Sequence, residues 1–352
     1  MSEQTIIPTP SNELENPLTA TTPMATVGQV ANQVAADHIF ADYLNRKSDD
    51  TIATHYAALK RFGEYLEIAG IPGLTGVRLQ TEPESWRGLT WGLVEGFVKW
   101  QLHEGYAMAT VNNRLSAIKV YARMAAKAGV IDAQELQLIK AVNGYGRAEA
   151  RRVDERRATI RVGHKKELPV RLTPWDAQIL KDQPDTPQGR RDALLCCLLL
   201  DLGLRVGEVY GLFVENFDLT PGELRFYRPK VDMEQTHQLT GDVWLAAKRY
   251  LALDAAAAGR LLLGSRKNGR LTNKPMSIRA MQNRITYLGE RQLGLEGLSP
   301  HDCRHYWATD AARSGTDPFR LQEAGGWASL AMPRRYVEAA EIANKGVKLS
   351  AG

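Results

Sequence analysis

Cysteine is scarce in this chain. Three occur in 352 residues, Cys196, Cys197 and Cys303, two of them adjacent inside an apolar run. An odd number so placed builds neither a disulfide framework nor a C-x-x-C metal site. Buried thiols are the expectation. Long hydrophobic runs are also missing. The longest, Ala193 to Leu204, holds 12 residues and contains Asp201. That is short of the roughly 20 residues that span a bilayer, and it reads as a buried helix. The first 45 residues contain no Lys or Arg. With neither a basic start nor an apolar stretch, the N-terminus lacks the form of a secretory signal. These absences point to a soluble, cytoplasmic protein. With 44% apolar and 24% charged residues, low-complexity and collagen-like chains are excluded too.

What is present is positive charge, unevenly placed. The formal net charge is +5, but residues 1–45 carry five acids and no base, so the remainder carries +10. Between Arg147 and Arg171, nine bases stand against four acids. Dense positive charge in a connector suits a phosphate backbone. A merely solvated linker fits the same composition.

The length favours two domains. Residues 1–34, with Pro8, Pro10, Pro17 and Pro23 among Thr, Asn and Glu, read as a disordered acidic tail. Residues 35–145 read as an all-helical domain. Ile52, Tyr56, Leu59, Phe62 and Leu66 recur at helical steps, and so do Val111, Leu115, Ile118, Ala122 and Ala125. Trp91, Val94, Phe97 and Val98 start another helix, and residues 132–142 a fourth, with a Gly- and Pro-rich loop over 70–88. Residues 146–171 are the basic linker. A second domain over 172–340 opens on Thr173-Pro-Trp-Asp176, which has the form of a capped helix start. Residues 213–244 read as a small antiparallel sheet around Pro221-Gly222. Helices resume near Asp242 and continue to the end. Residues 341–352 form a C-terminal tail.

The residues suited to chemistry lie late in the chain. Ser299-Pro-His-Asp-Cys-Arg304 reads as a second capped helix start, with His301 and Arg304 three apart on one face. A helix N-terminus favours an anion there. Gly325-Gly326 ends a helix and leaves Trp327 in a loop, and Tyr336 follows nine residues later. Upstream, Gly203-Leu-Arg-Val-Gly-Glu208 places Arg205 just past the buried helix. Singly, each has a structural alternative: ion-paired arginines, a capping histidine, a packing Trp or Tyr, a solvated lysine at position 230.

Taken together, the pattern resembles the tyrosine recombinase, or phage integrase, family. The positions that match are Arg205, Lys230, His301, Arg304, Trp327 and Tyr336. The Ala-Gly-Gly-Trp327 segment is similar to that of a simple, Cre-like recombinase. The resemblance covers residues 173–340 most strongly. It implies a mainly α fold with a small antiparallel β-sheet: a helical, SAM-like core-binding domain and an α+β catalytic domain, closed as a C-shaped clamp on DNA. It implies a site-specific recombinase that cleaves and rejoins strands at short core sites through a 3′-phosphotyrosyl intermediate, with no cofactor and no metal. Tyr336 would be the nucleophile, and Arg205 and Arg304 would fork onto the phosphate oxygens. His301 would be the base, Lys230 the acid on a hairpin, and Trp327 a packing and donor group. Glu208 would hold Arg205, and His305 would be structural, facing elsewhere on its helix. The implied partners are a double-stranded recombination site and three further copies of the chain, a homotetramer on two DNA sites, with the C-terminal segment docking on a neighbour. Asn113, Arg114 and Lys119 would be candidate DNA contacts. Related outputs of the same chemistry are a transposase, a telomere resolvase and a type IB topoisomerase. A DNA-binding protein without catalysis is the non-enzyme alternative.

Overall fold

The protein is described by a computed structural model covering residues 23–157 and 170–340. The tail over 1–22, the linker over 158–169 and the terminal segment 341–352 lie outside these described residues. The chain divides into two compact units, residues 1–165 and 166–352.

The first unit is helical. It comprises α1 (Pro23–Asn45), α2 (Asp49–Ile68), α3 (Gly76–Thr81), α4 (Trp91–His103), α5 (Met108–Lys127), α6 (Ala133–Ala141) and α7 (Arg147–Arg156). Helix α5 is the hub, packing on α1, α2, α4 and α6. Its expected stripe, Val111, Leu115, Ile118, Ala122 and Ala125, is buried throughout. On α2 the stripe holds for Leu59, Phe62 and Leu66, but Tyr56 is exposed; one position earlier His55 faces inward, its ring 5.8 Å from the buried Tyr121. Phe62 sits at the centre, its ring 5.0 Å from Phe97 and 6.1 Å from Trp86. Phe62→Ala is expected to lower stability by about 3–5 kcal/mol, read as an earlier urea transition of the full chain by circular dichroism.

Three segments differ from the sequence expectation. Residues 23–34, expected to be disordered, belong to α1; Pro23 stands at the first helical position, where its fixed φ suits a helix start. The loop over 70–88 contains α3 and a short 3₁₀ turn. Thr75 caps α3, and Trp86, fully buried, donates its indole N–H to the Leu79 carbonyl at 2.8 Å. The first part of the basic linker is α7. Gly146 N–H donates to Glu149, and Arg157 pairs with Asp154 at 2.7 Å.

The second unit packs α8 (Pro174–Lys181), α11 (Gly241–Leu253) and α13 (Pro300–Arg313) around α9 (Pro187–Leu200). Leu194 to Leu200 are all buried, as the apolar run requires. Thr173 and Asp176 form the expected reciprocal cap of α8. After α10 (Val206–Gly211) comes an antiparallel meander of β1 (Phe217–Asp218), β2 (Glu223–Arg228) and β3 (Met233–Gln238). The return to helix is not continuous. A second hairpin, β4 (Leu263–Ser265) with β5 (Leu271–Pro275), intervenes before α12 (Ile278–Leu288). Asn268-Gly269, with Gly269 at φ +80°, supplies its turn. Then follow α13, α14 (Pro318–Gly325) and α15 (Ala331–Ala340). Cys196, Cys197 and Cys303 are free and buried. Among the described residues no helix is long and apolar enough to cross a membrane.

Candidate active site

The second unit brings together residues from five places in the chain. Arg205 precedes α10 and Lys230 lies in the β2–β3 turn. His301 and Arg304 share the first turns of α13. Trp327 follows α14, and Tyr336 lies on α15.

The start of α13 is fixed by Asp302. Its Oδ2 accepts from the Ser299 N–H at 2.9 Å and from the Ser299 hydroxyl at 2.6 Å, the reciprocal cap expected from the sequence. Its Oδ1 accepts from the Val170 N–H at 3.0 Å, so the chain entering the second unit is tied to the residue beside His301.

The end of α14 gathers the cations. Gly326 takes a left-handed conformation, φ +57° and ψ +51°, and closes the helix with N–H bonds to Glu323 and, from Trp327, to Gln322. The carbonyls left over accept from arginines. Arg205 Nη2 donates to Gly326 O at 2.9 Å. Arg304 donates to Gly325 O and to Gly203 O. A third guanidinium, Arg228 at the end of β2, donates to Gly325 O at 2.9 Å and to Ala324 O at 2.7 Å. A side chain at Gly325 would run into the Trp327 ring, and one at Gly326 into Arg228.

One carboxylate serves this cluster. Glu208 accepts from the Arg205 N–H at 2.8 Å and from Arg205 Nη1 at 2.7 Å, and it pairs with Arg228 Nη1 at 3.2 Å. The expected role of Glu208 as the holder of Arg205 therefore fits, with Arg228 added. Arg228 is fully buried. Burial and the neighbouring Arg205 push the Arg304 guanidinium down to about 9, which still leaves it charged at neutral pH. Its guanidinium carbon lies 4.4 Å from the Trp327 ring centroid. Trp327 stacks on Trp307 at 6.0 Å and tilts against Tyr336 at 5.8 Å.

Tyr336 is 7% exposed, and burial raises its phenol above the usual range, against the pull of Arg304 and Arg335. Its hydroxyl lies 2.8 Å from His305 Nδ1, and His305 Nε2 lies 3.0 Å from His301 Nε2. His305, expected to face elsewhere, stands between the two. Positions four apart on a helix share a face, so His301 and His305 are neighbours. Burial depresses both imidazoles, and Arg304, Lys230 and Arg205 depress His301 further. Lys230 is exposed in its turn, where Asp232 takes φ +50° and accepts from the Tyr227 hydroxyl.

Two residues at this site were not anticipated. Arg228 continues the inward alternation Leu224, Phe226, Arg228 on β2, and that period was readable. His305 follows His301 by one helical turn, a spacing that is likewise readable in the sequence. In the first unit, Arg114 stacks on Tyr106 at 4.2 Å and donates to Gln101, while Lys119 donates to the carbonyls of Lys140 and Val142. Both side chains therefore also serve the fold, and Asn113 is exposed.

Residues 171–342 match the phage integrase family model, and that span contains every residue of the cluster. These residues form a phage integrase family domain. Its activity is that of the tyrosine recombinases: site-specific recombination, with DNA strands broken and rejoined through a tyrosine. Among curated members, tyrosine recombinase XerC of Thermodesulfovibrio yellowstonii is 27% identical over 255 residues, 69% of this chain and 76% of that protein. XerC of Roseiflexus castenholzii is 25% identical over 299 residues, 82% of this chain and 83% of that protein. Among solved structures of integrases, the Tn1549 transposon integrase in complex with transposon right end DNA shares the fold. Its TM-score is 0.57 at 15% identity, covering 86% of this chain and 94% of that one. The family fold is thus the mainly α fold with small antiparallel sheets described above.

Proposed function

We propose that Tyr336 is the nucleophile of this integrase-family enzyme and that Arg205 and Arg304 hold the scissile phosphate. The observation that carries the reading is the convergence of both guanidiniums on the consecutive carbonyls of Gly325 and Gly326. Trp327 follows Gly326 directly, and Tyr336, nine residues on, is in ring contact with it. Attack on a phosphodiester adds charge to its non-bridging oxygens, and two forked cations stabilise that charge. Trp327 packs beside the phosphate and offers its indole N–H. The hairpin ammonium of Lys230 protonates the departing 5′-oxygen. His301 is the outer end of the path that removes the nucleophile's proton. The phosphotyrosyl ester retains the energy of the broken bond, so rejoining needs neither a nucleotide nor a metal.

The domains follow. The helical unit is the core-binding domain, the basic segment 146–171, which begins with α7, supplies phosphate-binding charge, and residues 172–340 are catalytic. His301 edges a cleft lined also by Arg279, Gln282, Asn283 and Tyr287, donors suited to a polyanion. The working form is a cyclic homotetramer on two double-stranded sites, each subunit docking its C-terminal segment on the next. Such head-to-tail docking closes a ring. The place of action is the cytoplasm, on nucleoid DNA.

The test is a covalent adduct. Wild-type protein, incubated with DNA flanking its own gene and denatured in detergent, gives a protein–DNA band. Tyr336→Phe loses that band and still retards the duplex on a native gel. Exchange of flanks between two duplexes marks a recombinase. Retarded DNA without any adduct in wild type overturns the assignment.

A further inference from the structure

We propose that His305 is the catalytic residue that takes the proton of Tyr336, while its far nitrogen hands a proton on to His301. The inference deepens the assignment of Tyr336 as nucleophile and rests on it.

Geometry carries the argument. The Tyr336 hydroxyl lies 2.8 Å from His305 Nδ1, within hydrogen-bond reach, whereas His301 meets only the opposite edge of the His305 ring, at 3.0 Å. The two imidazole rings are 4.4 Å apart and nearly perpendicular, at 76°, so the lone pair of one faces the edge of the other. The His305 ring is in turn 5.4 Å from that of Tyr336. The helix imposes this order. His301 and His305 are one turn apart on α13, and α15 packs across that face.

Protons balance along the row. His305 starts with its proton on Nε2 and a lone pair on Nδ1; His301 starts with its proton on Nδ1. The tyrosine O–H bond breaks and an N–H bond forms at His305 Nδ1. The N–H bond at His305 Nε2 breaks and one forms at His301 Nε2. The phenolic oxygen's electron pair becomes the bond to phosphorus. The bond to the 5′-oxygen breaks, and that oxygen receives its proton from Lys230. His301 ends as an imidazolium at the exposed end of the row, where water can discharge it. His305 ends neutral with its tautomer reversed, ready for the return step.

The surroundings favour neutral rings at the outset. The groups facing His305 are His301, Asp302 and Arg304 on α13, and Tyr336 and Arg335 on α15. Arg171, Asp310 and Arg313 line the cleft on its other side. Burial holds both histidines below the ordinary imidazole range. A base must be unprotonated, so wild-type cleavage falls only as pH drops below about 6.5.

The experiment measures single-turnover adduct formation from about pH 5 to pH 10. The probe is a duplex that the full chain selects from a random-sequence pool. Wild type, His305→Ala, His305→Asn and Tyr336→Phe are compared, with native-gel retention and circular dichroism confirming folded, DNA-bound protein. His305→Ala and His305→Asn are expected to be slower by about 10²-fold at pH 7 and to recover as rising pH ionises the phenol directly. A rate and pH profile equal to wild type overturns the relay. So does an equal loss at every pH, which marks a purely structural role. Absence of an adduct in wild type, or its persistence in Tyr336→Phe, overturns the nucleophile assignment itself.

Discussion

Arg304→Ala is expected to slow covalent adduct formation by about 10²- to 10³-fold, the usual effect of removing one preorganised donor to a developing oxyanion. The measurement is single-turnover trapping on a duplex the protein retains, with affinity followed separately. The rate should fall much further than the affinity, because a DNA-binding surface distributes its affinity over many phosphate contacts. Arg304→Lys is not expected to rescue. The guanidinium reaches Gly203 O and Gly325 O together and holds its carbon 4.4 Å from the Trp327 ring centroid, and one ammonium cannot reproduce that set of contacts. A variant within about tenfold of wild type would remove Arg304 from the phosphate site.

Glu208→Ala is expected to cost the second unit much of its stability. This carboxylate is 6% exposed and is the acid paired with both Arg205 and the fully buried Arg228. Removing it leaves a buried guanidinium beside a like charge, an arrangement that costs about 3–5 kcal/mol. For a unit of this size the melting temperature should drop by on the order of 10 °C. Glu208→Gln, which keeps the shape and loses the charge, should fall between. The double variant Glu208→Ala with Arg228→Met should regain part of the loss, because it also removes the stranded charge. A single-variant loss below about 1 kcal/mol would mean that the carboxylate is not the counter-charge of this cluster.

Much of the site was legible in the sequence because its signals are local. Thr173 with Asp176 and Ser299 with Asp302 mark helix starts. Gly325-Gly326 marks a helix end, and the order from Arg205 to Tyr336 carries a family pattern. Arg228 escaped because its role arises from strand register: only when β2 lies against its neighbours does alternation turn that arginine inward. His305 escaped because attention to the H-x-x-R spacing hid the four-residue step that pairs it with His301. The helical unit was read correctly where periodicity was strong, as in α5. It was misjudged where composition outweighed pattern, as in residues 23–34 and in α3 and α7; in the second unit the hairpin of β4 and β5 was missed for the same reason.

The three guanidiniums at the end of α14 share the negative pole of that helix, and only Arg205 and Arg228 pair with Glu208. Like charges packed so closely repel one another, and folding alone does not relieve that repulsion. An anion settling among them would ease it. The native state should therefore be sturdier with such a guest than without, and resistance to heat would report occupancy of the catalytic centre before any strand is cut.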